Sequence, residues 1–216
     1  MPAPTASEIE NVAKGAMQSA GLKGENAPDL AAALGQCGGQ ALLMFVSSAM
    51  ILPGIPAVAP PPAFSGSTVG PGNFLPPPAG GPGDGQIEPL ATAALMSNKI
   101  RGEYKDKLAK AIAQTTAQAI LLFTTMVKVA PGIAIAGAAT ASPGTLLGAA
   151  PPKPMIKGLA LGFLQAGGIR GANAPDLADA IAETLSTTLT QMMSRLQVLP
   201  GIPCSPGASA GPGRLV

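Results

Sequence analysis

The sequence GLKGENAPDLAAAL at Gly21–Leu34 recurs as GIRGANAPDLADAI at Gly168–Ile181, and this repetition decides the fold. The two copies lie 147 positions apart, and the same offset holds without a gap to the next landmark, where LPGIP at Leu52–Pro56 recurs at Leu199–Pro203. A fixed offset held over this distance predicts that one supersecondary unit occurs more than once in the chain.

A third, more diverged copy lies between these two, 78 positions after the first. Gly24-Glu25 recurs as Gly102-Glu103, and the sequence PGI at Pro53–Ile55 recurs at Pro131–Ile133. We therefore predict three tandem repeats. They occupy residues 1–74, 87–148 and 155–216, and they are joined by a Pro/Gly linker at 75–86 and a short proline linker at 149–154.

Each repeat is predicted to be a helical hairpin. The first helices are expected at about Ser7–Ala20, Glu88–Lys99 and Met155–Gln165, and a glycine after the first and third suits a left-handed C-cap. The second helix is predicted to begin at Asn-Ala-Pro-Asp (Asn26–Asp29 and Asn173–Asp176), with Asn available as a cap and Pro at the first helical position. If it continues from Pro28 to Leu52, it is about 37 Å long.

Apolar residues recur along the second helices at steps of three or four, which is typical of one buried helix face. We expect the following residues to form this helix-face core: Leu30, Leu34, Leu108, Ile112, Leu122, Leu177, Ile181, Leu185, Leu189 and Met192.

Gly and Pro mark an extended arm after each hairpin. The predicted arm hinges are Pro53-Gly54-Ile55, Pro131-Gly132-Ile133 and Pro200-Gly201-Ile202, and the arms close at Pro71-Gly72, Pro143-Gly144 and Pro212-Gly213. Small and β-branched residues between these motifs favour short strands that pair with another repeat or with a neighbouring subunit. The first arm is longer, with a loop insertion expected around Pro60–Phe64. The predicted fold class is mainly α with short extended β arms.

The composition argues against several classes of function. The chain has no His and only one Tyr, and its net charge is +2. Histidine-based catalysis or metal ligation is therefore excluded within the chain, and a basic, aromatic nucleic-acid groove is not expected. The glycine-rich stretches lack the GxxxxGK[ST] and GxGxxG spacings that cradle phosphates. We expect no enzyme activity, no cofactor, no metal and no nucleic-acid partner.

Two further features concern location and redox chemistry. Glu8 and Glu10 stand where a secretory signal needs basic and apolar regions, so export by that signal is not expected. Cys37 and Cys204 favour two buried thiols over a disulfide.

A membrane role is the alternative that the hydropathy leaves open. Gln40–Ala59 and Ala111–Ala141 are long and apolar, as a membrane-active pore or lysis protein requires. Pro-Gly breaks and Lys128 interrupt these stretches, so a helix buried in an assembly is favoured over a helix in a bilayer.

Only 11% of the residues are charged, which is too few to cover three separate hairpins of this size. The apolar faces must therefore be covered by other repeats or by other subunits. A pseudo-threefold arrangement and a linear stack both satisfy this requirement.

The ends of the repeats resemble small structural proteins of contractile-tailed bacteriophages, of the virion or baseplate type. The residues that carry the resemblance are Val129–Ile133 with Ser142–Leu146, and Leu199–Ile202 with Gly211–Leu215. The resemblance implies a non-enzymatic virion component of the tail, baseplate or capsid, assembled in the host cytoplasm with other virion proteins or with itself. We expect it to assemble through its apolar helix faces and through extended arms that reach neighbouring subunits by strand addition. This chain departs from the single-copy form because it is triplicated, which leaves its position in the particle open.

Overall fold

We describe the fold from a computed structural model, which covers residues 3–60 and 65–216. Short and long helices alternate along the chain. The short helices have 14 residues each, α1 (Ala6–Ser19), α3 (Asp84–Ser97) and α5 (Lys153–Ala166). The long helices have 22 residues each, α2 (Ala27–Ser48), α4 (Lys105–Met126) and α6 (Ala174–Arg195). Corresponding helices begin and end at the offsets of 78 and 147 that relate the sequence copies.

Short strands follow each long helix. After α2 come β1 (Met50–Ile51), β2 (Ala57–Val58) and β3 (Ser65–Thr68). After α4 come β4 (Lys128–Val129), β5 (Ala134–Ala136), β6 (Ala139–Thr140) and β7 (Leu146–Leu147). After α6 come β8 (Cys204–Ser205), β9 (Ala208–Ser209) and β10 (Gly213–Arg214). The predicted class, mainly α with short β arms, is confirmed.

The long helices end earlier than predicted. α2 stops at Ser48 and not at Leu52, so its 22 residues span about 33 Å. Pro-Gly is not what ends it, because Ala49 is already extended (φ −61°, ψ 128°) and Met50 and Ile51 are paired as β1. α4 and α6 likewise end five residues before their Pro-Gly. Competition from strand pairing, which the local sequence does not show, sets these ends.

The two linkers contribute residues to helices, contrary to prediction. Asp84–Gln86 begins α3, where the Gly83 N–H donates to Gln86 Oε1 at 3.2 Å. Lys153 and Pro154 begin α5, because proline is tolerated in a first helical turn that needs no N–H donor there. Most of the insertion expected around Pro60–Phe64 lies outside the described residues.

The helix starts and turns follow the sequence signals only in part. Gly21 and Gly168 adopt left-handed conformations (φ +79° and +81°) as predicted, and Lys99 occupies the matching place in the second turn at φ +60°. Asn26 and Asn173 are the N-cap residues of the long helices, as predicted, but neither side chain makes a capping hydrogen bond.

The helices pack as a closed ring. Each short helix contacts the long helix of its own pair and also the long helix of the preceding pair. α3 therefore lies between α4 and α2, and α5 between α6 and α4. α1 has no preceding pair in the sequence, and it contacts α6, the last long helix. This contact closes the ring and distinguishes it from a linear stack.

The core lies between the long helices and under the short ones. Phe45 of α2 and Phe123 of α4 meet edge to face, with ring centroids 5.9 Å apart. Of the predicted helix-face residues, the buried ones are Leu34, Ile112, Ile181, Leu185, Leu189 and Met192. The half-buried ones are Leu30, Leu108, Leu122 and Leu177. On α4 the buried position is Phe123, one residue after the predicted Leu122.

An ion pair ties the first helix to the last. The Arg195 guanidinium donates from Nη2 to Glu8 Oε1 at 2.8 Å and from Nη1 to Glu8 Oε2 at 3.1 Å. Glu8 also completes a capping box with Thr5 at the start of α1. Hydrogen bonds from Arg195 and from the Thr5 backbone lower the pKa of Glu8 to about 2.

We expect the ring closure to weaken in acid. A carboxyl whose pKa falls on folding stabilises the native state above its unfolded pKa, and this contribution disappears as the pH falls through the folded pKa. The melting temperature of the wild type should therefore exceed that of Glu8→Gln at pH 7, with the difference shrinking between about pH 4.5 and 2. Thermal melts followed by circular dichroism test this, with Glu25→Gln as the exposed control. A constant difference across this pH range would contradict the assignment.

Candidate functional site: the three arm junctions

Each arm pairs with the arm of the following helix pair. The Gly72 N–H donates to the Val129 carbonyl at 3.1 Å, and the Val129 N–H donates back to Gly72 at 2.9 Å. Gly144 and Val198 exchange the same two bonds at 3.0 and 2.8 Å. The third contact runs from the last arm to the first, where β10 pairs with β1 and places Gly213 opposite Ile51. We call these three contacts the arm junctions.

A buried hydroxyl lies at each junction. Thr140 Oγ1 accepts hydrogen bonds from the N–H groups of Gly201 and Ile202, both at 3.0 Å. Ser209 Oγ accepts from Gly54 at 3.0 Å and from Ile55 at 2.9 Å. Thr68 Oγ1 accepts from Ile133 at 3.0 Å. Each arm thus supplies the hydrogen-bond acceptor for hinge N–H groups of the next arm, and the last arm does the same for the first.

Three hairpins form a second layer beyond the junctions. β2 pairs with β3, β5 with β6, and β8 with β9. Neighbouring hairpins are joined by the β3–β5 pairing and by bridges from Ala139 to Pro203 and from Pro56 to Ala208. A small apolar cluster of Ala57, Ala59 and Ile135 lies between them, with Cys204 packed against it. No hairpin is left without a neighbour on either side within the described residues.

The hinge glycines are needed for their backbone conformation. Gly54, Gly132 and Gly201 have φ values of +98°, +96° and +95°, a region that other residues rarely adopt. A Cβ on any of them would meet nothing within 4 Å, so conformation and not space selects glycine.

The closing glycines are needed for space. A Cβ on Gly144 would lie 2.5 Å from Ile133 Cδ1 and 3.2 Å from Val198 Cβ. Gly72 and Gly213 are enclosed in the same way by their own hinge isoleucine and by a side chain of the next arm. Each closing glycine therefore lets two arms approach at a junction.

The predicted arm residues share one pattern of exposure. The buried ones are the hinge isoleucines Ile55, Ile133 and Ile202 and the closing glycines Gly72, Gly144 and Gly213. The exposed ones are the hinge residues Pro53, Gly54, Pro131, Gly132, Pro200 and Gly201 and the closing prolines Pro71, Pro143 and Pro212. The arms pair with each other inside one chain, the first of the two pairings that the sequence left open.

Sequence reasoning missed the three hydroxyl residues. Thr68, Thr140 and Ser209 each stand three positions before the closing proline, in the sequences TVGPG, TASPG and SAGPG. A hydroxyl residue repeated at one position was therefore a usable signal. Its function is not readable from sequence, because its partner lies more than 60 residues away in each case.

The arms carry almost no charge. No Asp or Glu occurs in residues 49–83, 127–152 or 196–216, and the only cations there are Lys128 and Arg214.

Burial raises the pKa of the Cys37 thiol to about 12 and also raises that of Cys204, which leaves both as poor nucleophiles. Both are free thiols, and Cys37 is buried as predicted, whereas Cys204 is only half-buried. The described residues contain no cluster of His, Cys, Asp or Glu that could hold a metal ion. The arm junctions are therefore held by backbone hydrogen bonds and by close packing around the closing glycines.

No family model matches the chain, and no curated protein or solved structure is significantly similar to it.

Replacing Thr140 by Val tests the hydroxyl at one junction. The substitution keeps the shape but leaves the buried Ile202 N–H without its acceptor, which costs about 1–3 kcal/mol. We expect the free energy of unfolding in urea to fall by this amount. The matched control is Thr125→Val, which removes an exposed hydroxyl bonded only to Leu122 within its own helix. Equal stabilities for the two variants would contradict the role of Thr140.

Proposed function

We propose that the chain is a tandem triplication whose three units close into a pseudo-threefold ring, and that it is a non-enzymatic structural component of a phage virion. The observation that carries the proposal is the cyclic set of arm junctions, in which the third arm meets the first as each other arm meets its successor. The resemblance of the repeat ends to virion proteins of contractile-tailed phages supports the placement in a tail, baseplate or capsid.

The ring suits a structural role because it presents similar surfaces three times around one axis. A partner with threefold symmetry meets such a surface through three comparable contacts, and symmetric assemblies are built from such contacts. The arms already pair inside the chain, so we propose that assembly uses the faces of the ring. The arms expose apolar side chains and contain no carboxylate, and the exposed residues include Leu52, Val58, Val69, Leu147 and Leu199. Surfaces of this kind are typical of protein contacts.

A circular permutant tests the cyclic equivalence of the units. Six residues separate Leu146 from Lys153, and six would separate Leu215 from Ala6 if Val216 were joined to Met1. We expect a chain that begins at Ala149, passes through this fusion and ends at Gly148 to keep the wild-type helical circular dichroism and a melting temperature within a few degrees.

The control carries the same fusion but is opened between Gln118 and Ala119, in the buried part of α4. We expect this chain to lose most of its stability, because the break divides a core helix. If the two permutants had equally low melting temperatures, the fusion of Val216 to Met1 would not be equivalent to the linkers between the helix pairs, which would contradict the proposal.

Quantitative mass spectrometry of purified virions tests the proposed location. We expect peptides of this chain in the particle, at one or two copies for every three subunits of a threefold-symmetric component. Absence from particles while the chain is abundant in the infected cell would overturn the proposal.

A membrane-active protein is the second candidate, and one helix favours it. Among the described residues, α2 is long and apolar enough to cross a bilayer, although half of its most apolar stretch is buried inside the fold. Alkaline carbonate washing of membranes separates the two functions. A structural virion protein is released into the supernatant, whereas an inserted α2 holds the chain in the pellet.

A further inference from the structure

A groove runs along α4 where this helix meets α5. It consists of two adjoining depressions of about 430 and 280 Å³, which share Gln114 and Phe163. The larger depression is bounded by Lys107 and Lys110, and the smaller one reaches Leu121. From Lys107 to Leu121 the helix rises about 21 Å. We call this surface the α4 groove.

The sequence explains why α4 and α5 leave a groove between them. At the matching contact of α2 with α3, Gln36 Oε1 accepts hydrogen bonds from Ser97 Oγ and from Asn98 Nδ2, both at 3.0 Å. The residues at the same positions of α4, α5 and the end of α5 are Gln114, Ala166 and Gly167. The last two have no side chain that can donate, so these hydrogen bonds cannot form between α4 and α5.

The lining combines free amide groups with an apolar surface. Within the described residues, the side-chain amides of Gln114 and Gln118 form no hydrogen bond with the protein. Leu121 and Phe163 are half-buried, and prolines of the linker that precedes α3 complete the lining: Pro77, Pro78 and Pro82. Free amides can pair with the N–H and C=O groups of an extended backbone, whereas a helix pairs these groups within itself. The α4 groove therefore fits an extended segment, and about six residues at 3.3 Å each cover its length.

One end of the α4 groove is positively charged. Lys107 and Lys110 are exposed, and neither forms a salt bridge in the part of the chain that the structure describes. Lys107 Nζ lies 4.8 Å from the centre of the Tyr104 ring. No described carboxylate lines the larger depression, whereas Asp84 lines the smaller one. A carboxylate of the bound segment is therefore favoured beside the lysines and disfavoured at the opposite end.

We propose that the α4 groove binds an extended segment of a different protein that carries Asp or Glu at one end. The backbone of this segment bonds to Gln114 and Gln118, and its apolar side chains pack on Phe163. Its carboxylates lie beside Lys107 and Lys110. This inference goes beyond the proposed virion function and does not depend on it, because the groove and its charges belong to the isolated chain.

A second copy of the chain matches this chemistry less well. Its extended segments are the arms, which contain no Asp or Glu. Its carboxylates lie in helices or, at Glu25 and Glu103, in turns that reverse the chain between two helices. None of these elements lies extended over about 21 Å, so a segment from another protein fits better.

An array of random octapeptides tests the proposal with the purified full-length chain. Half of the peptides carry two fixed Asp residues at one end, and the other half carry two fixed Lys residues there. We expect the bound peptides to come from the acidic half. The strongest binder is then labelled with fluorescein, and its Kd is measured by fluorescence polarisation. No binding to the acidic half, or equal binding to both halves, would overturn the proposal.

Charge variants test whether the labelled peptide lies in the α4 groove. We expect Lys107→Gln with Lys110→Gln to raise the Kd at least tenfold, which is the effect of one lost contact of ordinary strength. The control, Lys23→Gln with Arg170→Gln, removes the same charge from exposed positions outside the groove and should leave the Kd unchanged. Equal effects of the two changes would contradict the assignment.

Amide variants test the contact with the peptide backbone. We expect Gln114→Ala with Gln118→Ala to weaken binding severalfold. The matched control is Gln36→Ala with Gln40→Ala, which changes the same two positions of α2 and should not affect the Kd. Circular dichroism and thermal melts establish that every variant is folded. A larger loss of affinity in the α2 control would overturn the proposal.

A variant that closes the groove separates binding from stability. Ala166→Ser with Gly167→Asn supplies the two donors that Ser97 and Asn98 provide between α2 and α3. We expect an unchanged or higher melting temperature together with a Kd raised about tenfold. Unchanged affinity would overturn the proposal. Self-association of the chain in sedimentation equilibrium, if lost in the variant of both groove lysines, would assign the groove to a second copy and overturn it as well.

Discussion

The architecture depends on three buried hydroxyl groups that accept hydrogen bonds from the hinge backbone of the next arm. Strands of two to four residues are too short to be stable by themselves. Each hinge turns through a glycine with positive φ, whose N–H donates to the backbone carbonyl of Thr68, Thr140 or Ser209. The N–H of the following isoleucine also points inward, where no backbone carbonyl accepts from it. Thr68, Thr140 and Ser209 supply the missing acceptors, and a buried N–H without one would be costly. The hydroxyls therefore connect the turn chemistry of one arm to the position of the next.

Closure of the ring explains how so apolar and charge-poor a chain can fold. Every short helix covers the seam between two long helices, and the contact of α1 with α6 removes the exposed seam that a linear stack would leave at each end. The edges of the hairpins are covered by neighbouring hairpins in the same way, which removes the usual sites of edge-to-edge aggregation. The large apolar side chains that remain exposed lie in the arms, as Val58 and Leu147 do, and on the helices, at Leu43, Met96 and Met155.

Much of the helical architecture could be predicted from sequence, because helix spacing and turn glycines are local signals. The NAPD starts, the left-handed Gly21 and Gly168, and the burial of Ile181, Leu185 and Leu189 all follow from residues within a few turns of one another. The end of α2 at Ser48 could not be predicted, because strand pairing with residues near Gly213 competes with the helix there. The hydroxyl contacts were missed for the same reason, since each joins residues more than 60 positions apart.

The pairing of β1 with β10 has a consequence for the order of folding. β1 follows the first long helix, yet its partner, Gly213–Arg214, is the latest strand to be synthesised. During translation the nascent polypeptide can form the α2–α3 and α4–α5 contacts, while α1 and the Ile51 backbone wait for α6 and β10. The ring can therefore close only after α6 and β10 have been synthesised, and a product interrupted before them keeps α1 without its second helix neighbour.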